Sequence, residues 1–223
     1  MKIIGHRGAA GLALENSRAS LLAAIEQGVD AIEFDVRLTA DDRLVVIHDK
    51  ETSRVASDRL IVREHTLAEL RAATTLGNGE QFMSLDEALD TIGVTPVIIE
   101  LKDEGSVDEL LLALERHPKA NISIASFHHN ELRQVHKILP HTPVYVLEHY
   151  APIAIINSAR HMHATGIGLN KWLMNPLTYY LARRYHLDVY LYTVNGPLLT
   201  GLLHQLYPSV SLCTDTPERF RAH

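Results

Sequence analysis

The sequence predicts an α/β fold closed as a (β/α)8 barrel (a TIM barrel), with one antiparallel hairpin strand and a small insertion after the second strand. Three observations carry this expectation. Strand-like and helix-like segments alternate from end to end, as a parallel sheet covered by helices requires. One apolar run follows its predecessor too closely for a parallel crossover, so it must pair as a hairpin. With that strand set aside, eight strands remain in 223 residues, each followed by a helix. An open doubly wound sheet is the alternative arrangement. In a barrel, the active site lies at the C-terminal ends of the strands.

The elements follow in order. Residues 3–5 are a short apolar strand. Residues 17–27 carry Leu21, Leu22 and Ile25 at helical spacing, and Gly28 stops that helix. Residues 31–36 and 44–47 are strands, separated only by residues 39–43 with their Asp41-Asp42 pair. If those two aspartates form a two-residue turn, residue 48 pairs with residue 35. Residues 49–83 are the insertion, with a short helix over residues 67–73. Ser84-Leu85-Asp86-Glu87 is a capping box that opens a helix to Ile92. Strands at 97–101, 122–125, 144–147, 166–169, 189–194 and 210–213 then alternate with helices at 106–117, 130–139, from Pro152, at 176–185 and at 197–206. Residues 217–221 make a closing helix. No linker or low-complexity segment divides the chain, so residues 1–223 are expected to form a single domain.

Composition removes several classes of function. Hydrophobic residues make up 46% and charged residues 22%, an ordinary globular balance that excludes disorder and coiled coil. A net charge of −6 gives no electrostatic basis for nucleic-acid binding. A single cysteine, Cys213, excludes an internal disulfide framework. No apolar run approaches the ~18 residues needed to cross a bilayer. The start of the chain is too short and polar for a secretory signal. The expectation is a cytoplasmic protein without stable membrane association, its oligomeric state left open.

Polar residues gather at the strand ends. They include His6-Arg7-Gly8, Glu33-Phe34-Asp35, His48-Asp49, Glu100-Leu101-Lys102, Glu148-His149, Thr193-Val194-Asn195 and Thr214-Asp215. Loops begin there, and that alone accounts for Glu148, His149 and Asp215. It does not account for Glu33, which lies inside an apolar strand. Glu33 and Asp35 are two residues apart and share a face, while Phe34 and Val36 face the helices. Glu100 adds a third carboxylate. Such a group repels itself unless a cation lies within it. The residues leave two arrangements open: a hard divalent cation, Mg²⁺ or Ca²⁺, or a buried salt-bridge network with Arg7, Arg37 or Lys102. His6 and His48 flank the carboxylates and fit a general acid–base pair. Arg7 and Lys102 supply positive charge suited to a phosphate.

These motifs, with Glu15-Asn16, Thr39-Ala40-Asp41, Arg54 and Thr214-Asp215-Thr216-Pro217, resemble the glycerophosphodiester phosphodiesterase family in order and over nearly the whole chain. The resemblance implies a (β/α)8 barrel and metal-dependent hydrolysis of glycerophosphodiesters to glycerol 3-phosphate and an alcohol. It implies Glu33, Asp35 and Glu100 as ligands of one divalent cation, and His6 and His48 as the acid–base pair. It places Arg7 and Lys102 on the phosphate, with Asn195 as a further substrate contact. It also implies a cyclic glycerol phosphate intermediate. The chain departs from the family pattern at Val55-Ala56, Met83 and Tyr192, positions that bear on the pocket wall and the alcohol side of the substrate. Related possibilities are a phospholipase D-like barrel acting on lysolipids, a barrel that binds a phosphorylated ligand without turnover, and a metal-dependent sugar isomerase. The second would have lost a ligand or a histidine, and all five are kept. The third would carry more metal-binding histidines on its strands.

Overall fold

A computed structural model describes residues 1–220. The elements are β1 (Ile3–Gly5), α1 (Arg18–Glu26), β2 (Ala31–Leu38), β3 (Leu44–Val46), α2 (Leu67–Ala73), α3 (Leu85–Ile92), β4 (Val97–Leu101), α4 (Val107–Arg116), β5 (Ile122–Ser126), α5 (His129–Ile138), β6 (Val144–Glu148), α6 (Ala154–His161), β7 (Gly166–Asn170), α7 (Pro176–Arg184), β8 (Asp188–Tyr192), α8 (Pro197–Leu206) and β9 (Ser211–Thr214). The strand order is β1-β9-β8-β7-β6-β5-β4-β2-β3, and β1 also pairs with β2. The ring therefore closes on itself, and β3 lies outside it. This is the (β/α)8 barrel the alternation predicts, rather than the open sheet.

Side chains alternate between two layers. Ile32, Phe34 and Val36 of β2, with Val97, Ile99 and Leu101 of β4, join the main core between sheet and helices. Inside the ring, Ile4, Ile98, Ala125, Leu147, Tyr190 and Cys213 form a separate apolar plug. The polar side chains of β2 and β4 sit above that plug. β7 is glycine-rich because the plug needs the room. A Cβ on Gly168 would lie 2.5 Å from Tyr190 Cζ and 2.5 Å from Leu147 Cδ2. The segment after β3 has a small core of its own, where Val45, Ile47, Val55, Val62, Leu70, Leu76 and Phe82 pack together. Both Thr66 and Ser84 close capping boxes at the starts of α2 and α3.

Several details depart from the sequence reading. The hairpin register is Val36↔Val46 and Leu38↔Leu44, one residue away from the expected pairing of 48 with 35. Thr39 N–H donates to the Arg43 carbonyl (3.0 Å), so the loop holds three residues and not two. Asp42 takes a φ of +56°, which aspartate tolerates. Ile47, not His48, therefore stands opposite Asp35, its N–H donating to the Asp35 carbonyl (3.1 Å). β8 ends at Tyr192 rather than Val194, and β9 runs through Thr214. The closing helix is a 3₁₀ turn over Pro217–Phe220, and its expected last residue, Arg221, lies outside the described residues. Two further 3₁₀ turns, Val62–Glu64 and Lys171–Leu173, have no periodic signal in so short a run.

The turn after β1 sets the site. Gly8 has a φ of +85°, and its N–H donates to the Glu33 carbonyl (3.0 Å). A Cβ there would meet the Ser20 backbone at 2.5 Å. Gly8→Ala combines a disfavoured φ with a backbone clash, so it should lower stability by about 3 kcal/mol in denaturant unfolding. A change within ~0.5 kcal/mol would show that this turn has freedom to move.

Candidate active site

At the C-terminal ends of the strands lies a cavity of about 110 Å³ lined by His6, Arg7, Glu33, Asp35, His48, Glu100, Phe127, His149, Tyr190, Tyr192 and Cys213. A larger hollow of about 480 Å³ opens at the other end of the barrel, beside Lys2, Asp30, Asn121 and Asp188. It gathers no comparable set of histidines and carboxylates among the described residues.

Glu33, Asp35 and Glu100 converge as the period of a strand requires. β2 and β4 pair in parallel with Asp35 opposite Glu100, and Glu33 precedes Asp35 on the same face. One oxygen from each lies within 4.8 Å of the others. Glu33 and Asp35 are buried, and Glu100 nearly so. Burial and the charge of Asp35 push Glu33 up to about 7. The same two causes push Glu100 up to about 8. Burial also opposes the charge on Asp35. Lys102, Arg7 and His48 outweigh it, and with a hydrogen bond from Asn16 they hold Asp35 below the usual range. Lys102 Nζ lies 2.6 Å from Glu100 Oε1 and 3.4 Å from Asp35 Oδ1. Arg7 Nε is buried without a hydrogen-bond partner among the described residues, 3.4 Å from Asp35 Oδ2. Asn16 Nδ2 donates to Asp35 Oδ2 (3.0 Å). Glu33 accepts from the Arg7 backbone N–H (2.9 Å) and forms no ion pair among the described residues. Three converging oxygen donors with unneutralised charge fit one hard divalent cation.

Each histidine has its own carboxylate. His6 Nδ1 lies 2.6 Å from Asp215 Oδ1, and His48 Nδ1 lies 2.6 Å from Asp49 Oδ1. A neutral imidazole donates its Nδ1–H in such a pair, which leaves Nε2 for the reacting group. Burial works against charge on His6, but the Asp215 hydrogen bond and the field of Glu33 leave it above its ordinary value. Burial lowers His48, and Lys102 and Arg7 keep it low against Asp35 and Asp49. His48 reaches the cavity although its register differs from expectation. The ladder has ended, and Arg37 Nε donates to the His48 carbonyl (2.7 Å).

Asn195 is placed differently from the sequence expectation. It does not line the cavity. Its Nδ2 donates to Asp215 Oδ2 (2.6 Å), and its Oδ1 accepts from the Asp215 N–H (2.9 Å). Ordinary strand-end polarity does not describe Asp215, whose carboxylate orients His6. Closure of the barrel was the available signal, because it sets the last strand, β9, beside β1. Asn16, Glu15 and Asp49 stood in the motifs without a role, and each now holds a site residue. His149 stacks on Phe127 with centroids 3.9 Å apart and forms a cavity wall. Of the departures from the family pattern, Tyr192 lines the cavity, while Val55 and Met83 pack in apolar clusters.

The profile of the glycerophosphoryl diester phosphodiesterase family matches residues 6–219. The chain belongs to that family. It is 31% identical over 159 residues to a glycerophosphodiester phosphodiesterase of Caldanaerobacter subterraneus subsp. tengcongensis, a match spanning 65% of each chain. It is 27% identical to one of Bacillus subtilis, over 86% of this chain and 76% of the relative. The match thus spans slightly less than two thirds of the length of several curated relatives. An Oleispira antarctica phosphodiesterase, solved with its product sn-glycerol-3-phosphate, superimposes with a TM-score of 0.91 at 24% identity, over 98% of this chain and 94% of that one. An Agrobacterium tumefaciens glycerophosphodiester phosphodiesterase gives a TM-score of 0.83 at 26% identity, covering 99% and 98%. No helix among the described residues is long and apolar enough to cross a membrane.

The charge crowding has a measurable consequence. A buried carboxylate with a raised pKa loses stability as pH rises from its unfolded value, ~4.3, through its folded value, here about 7. In chelator, Glu33→Gln should melt at or above the wild type, with the gap widening between pH ~4.3 and about 7. Added Mg²⁺ or Ca²⁺ should raise the melting temperature of the wild type and not of the variant. A variant that melts lower in chelator, or that responds equally to the cation, would sink this account of Glu33.

Proposed function

We propose that the protein is a divalent-cation-dependent phosphodiesterase that cleaves glycerophosphodiesters to sn-glycerol 3-phosphate and an alcohol. The observation that carries this reading is the meeting of Glu33, Asp35 and Glu100 with both His6 and His48 in one cavity. Family membership supports the substrate class. Glu33, Asp35 and Glu100 would hold one cation, Mg²⁺ or Ca²⁺. When bound, such an ion supplies Lewis-acid stabilisation of phosphoryl charge and eases ionisation of a hydroxyl.

The chain's own groups do the remaining work. No serine or cysteine pairs with either catalytic histidine, and the Cys213 thiol is buried and pushed well up by burial. The nucleophile is therefore a hydroxyl of the substrate's glycerol, held beside the phosphorus. One histidine takes its proton at Nε2, and the other gives a proton to the leaving alkoxide. Asp215 and Asp49 keep the two rings in the orientation this needs. Arg7, whose Nε has no hydrogen-bond partner among the described residues, and Lys102 face the charge that builds on the phosphoryl oxygens. A cyclic glycerol phosphate then forms and is opened by water, with the two histidines exchanging roles. Small, deacylated substrates such as glycerophosphocholine and glycerophosphoethanolamine follow from the family's substrate class. We place the protein in the cytoplasm as a single domain, with no nucleic-acid partner and no stable membrane association.

Release of glycerol 3-phosphate from a panel of glycerophosphodiesters, with chelator and with each metal, tests the reading. His6→Ala and His48→Ala should each cut turnover by about 10²-fold or more while the fold survives. Full activity in chelator, or wild-type turnover in either variant, would overturn it. A separate comparison addresses the nucleophile. The 2-deoxy analogue of glycerophosphocholine should turn over at least ~10²-fold more slowly, since it lacks the attacking hydroxyl. Equal rates would mean that water attacks first.

A further inference from the structure

We infer that Arg54 is a positioning residue that holds His48 and Arg7 in register with one another. The inference rests on the catalytic role proposed above for His48. Arg54 lies in the segment after β3 and is not among the residues that line the cavity. Its guanidinium spans two carboxylates. Nε donates to Asp49 Oδ2 (2.5 Å), Nη2 donates to Glu15 Oε1 (2.8 Å), and Nη1 donates to Glu15 Oε2. The other oxygen of Asp49 holds His48 Nδ1 at 2.6 Å. Glu15 Oε1 also accepts from Arg7 Nη1 at 2.6 Å. The chain His48–Asp49–Arg54–Glu15–Arg7 thus alternates from a histidine to a guanidinium, and Arg7 Nε ends 3.4 Å from Asp35.

This arrangement acts on geometry more than on stability. The Arg54 side chain is 43% exposed, and an ion pair that open to water adds little to folding. Its two carboxylates are less exposed and each holds a site residue. The guanidinium pulls Asp49 down to about 2, so that carboxylate stays ionised and fixed as the acceptor of His48 Nδ1–H. Glu15 bridges two arginines, so its carboxylate aligns Arg7 only while Arg54 shares it. A planar fork can serve two carboxylates together, whereas an ammonium is a single point charge. Val55 is buried in the small core of the segment and anchors the backbone beside Arg54. Arg54 thus ties the segment across the rim to the loop after β1, whose Leu14 also packs against the segment's core.

Arg54→Met and Arg54→Lys, each made in the wild type and in His48→Ala, test this with the cation present. Kinetics on glycerophosphocholine, melting temperature and calorimetric cation affinity are the readouts. Arg54→Met should lower kcat/KM by about 10²-fold in the wild type, with melting and cation affinity little changed. In His48→Ala the same change should cost under ~10-fold, because one of the two groups it positions is already gone. Arg54→Lys should recover only part of the rate. An equal loss in both backgrounds, or a loss that follows the melting temperature, overturns the inference while leaving the function intact. Wild-type turnover in His48→Ala alone overturns the functional reading itself.

Discussion

The rest of this structure depends on the burial of three carboxylates in one place. Glu33 and Asp35 share the inner face of β2, and Glu100 stands across the ladder on β4. Taking such groups out of water is costly, and their mutual repulsion adds to the cost. The neighbouring elements answer that constraint. Asn16 and Arg7 come from the loop after β1, and Lys102 follows β4. Each approaches Asp35, which is the one carboxylate of the three held below its ordinary value. Glu33 and Glu100 stay raised. Such an arrangement costs stability as it stands and would gain from the proposed cation.

The barrel makes that concentration of charge tolerable. A plug of Ile4, Ile98, Ala125, Leu147, Tyr190 and Cys213 fills the ring beneath the carboxylates, so the charged layer rests on a packed floor. Ring closure does more than support. It brings Thr214-Asp215 beside the end of β1, where Asp215 meets His6, and Asn195 braces Asp215 from β8's end. Residues from opposite ends of the chain thereby form one hydrogen-bonded unit. An open sheet would leave those ends apart.

Much of this was legible in the sequence, for identifiable reasons. Alternation of strand and helix gave the barrel, and a charged residue inside an apolar strand marked Glu33. The period of two put Asp35 on the same face. What failed to show was whatever depended on local turn chemistry or on closure. Thr39 accepts from Arg43 N–H and widens the hairpin loop to three residues, which shifts the register by one. His48 still enters the cavity only because the ladder ends before it. Asp215 resembles any polar strand end, and Asn195 enters as a substrate contact through the family resemblance. The contact between the two gives each a positional role that strand-end polarity does not reveal.

The two arrangements left open by the sequence, a cation or a salt-bridge network, turn out to overlap. Arg7 and Lys102 do pair with the carboxylates. Arg37 does not. Its guanidinium is committed to Asp103 (2.5 Å) and to the His48 carbonyl. The network is therefore one cation short. Among the described residues Glu33 has no ion-pair partner, and its charge is met by a backbone N–H and by the fields of His6 and Arg7. A purely structural network would have no reason to bury that third carboxylate unpaired, since a neutral side chain there would be cheaper. A divalent ion, held by all three as proposed above, would remove the deficit. The unpaired Glu33 is thus the observation that favours the proposed cation over a set of salt bridges alone.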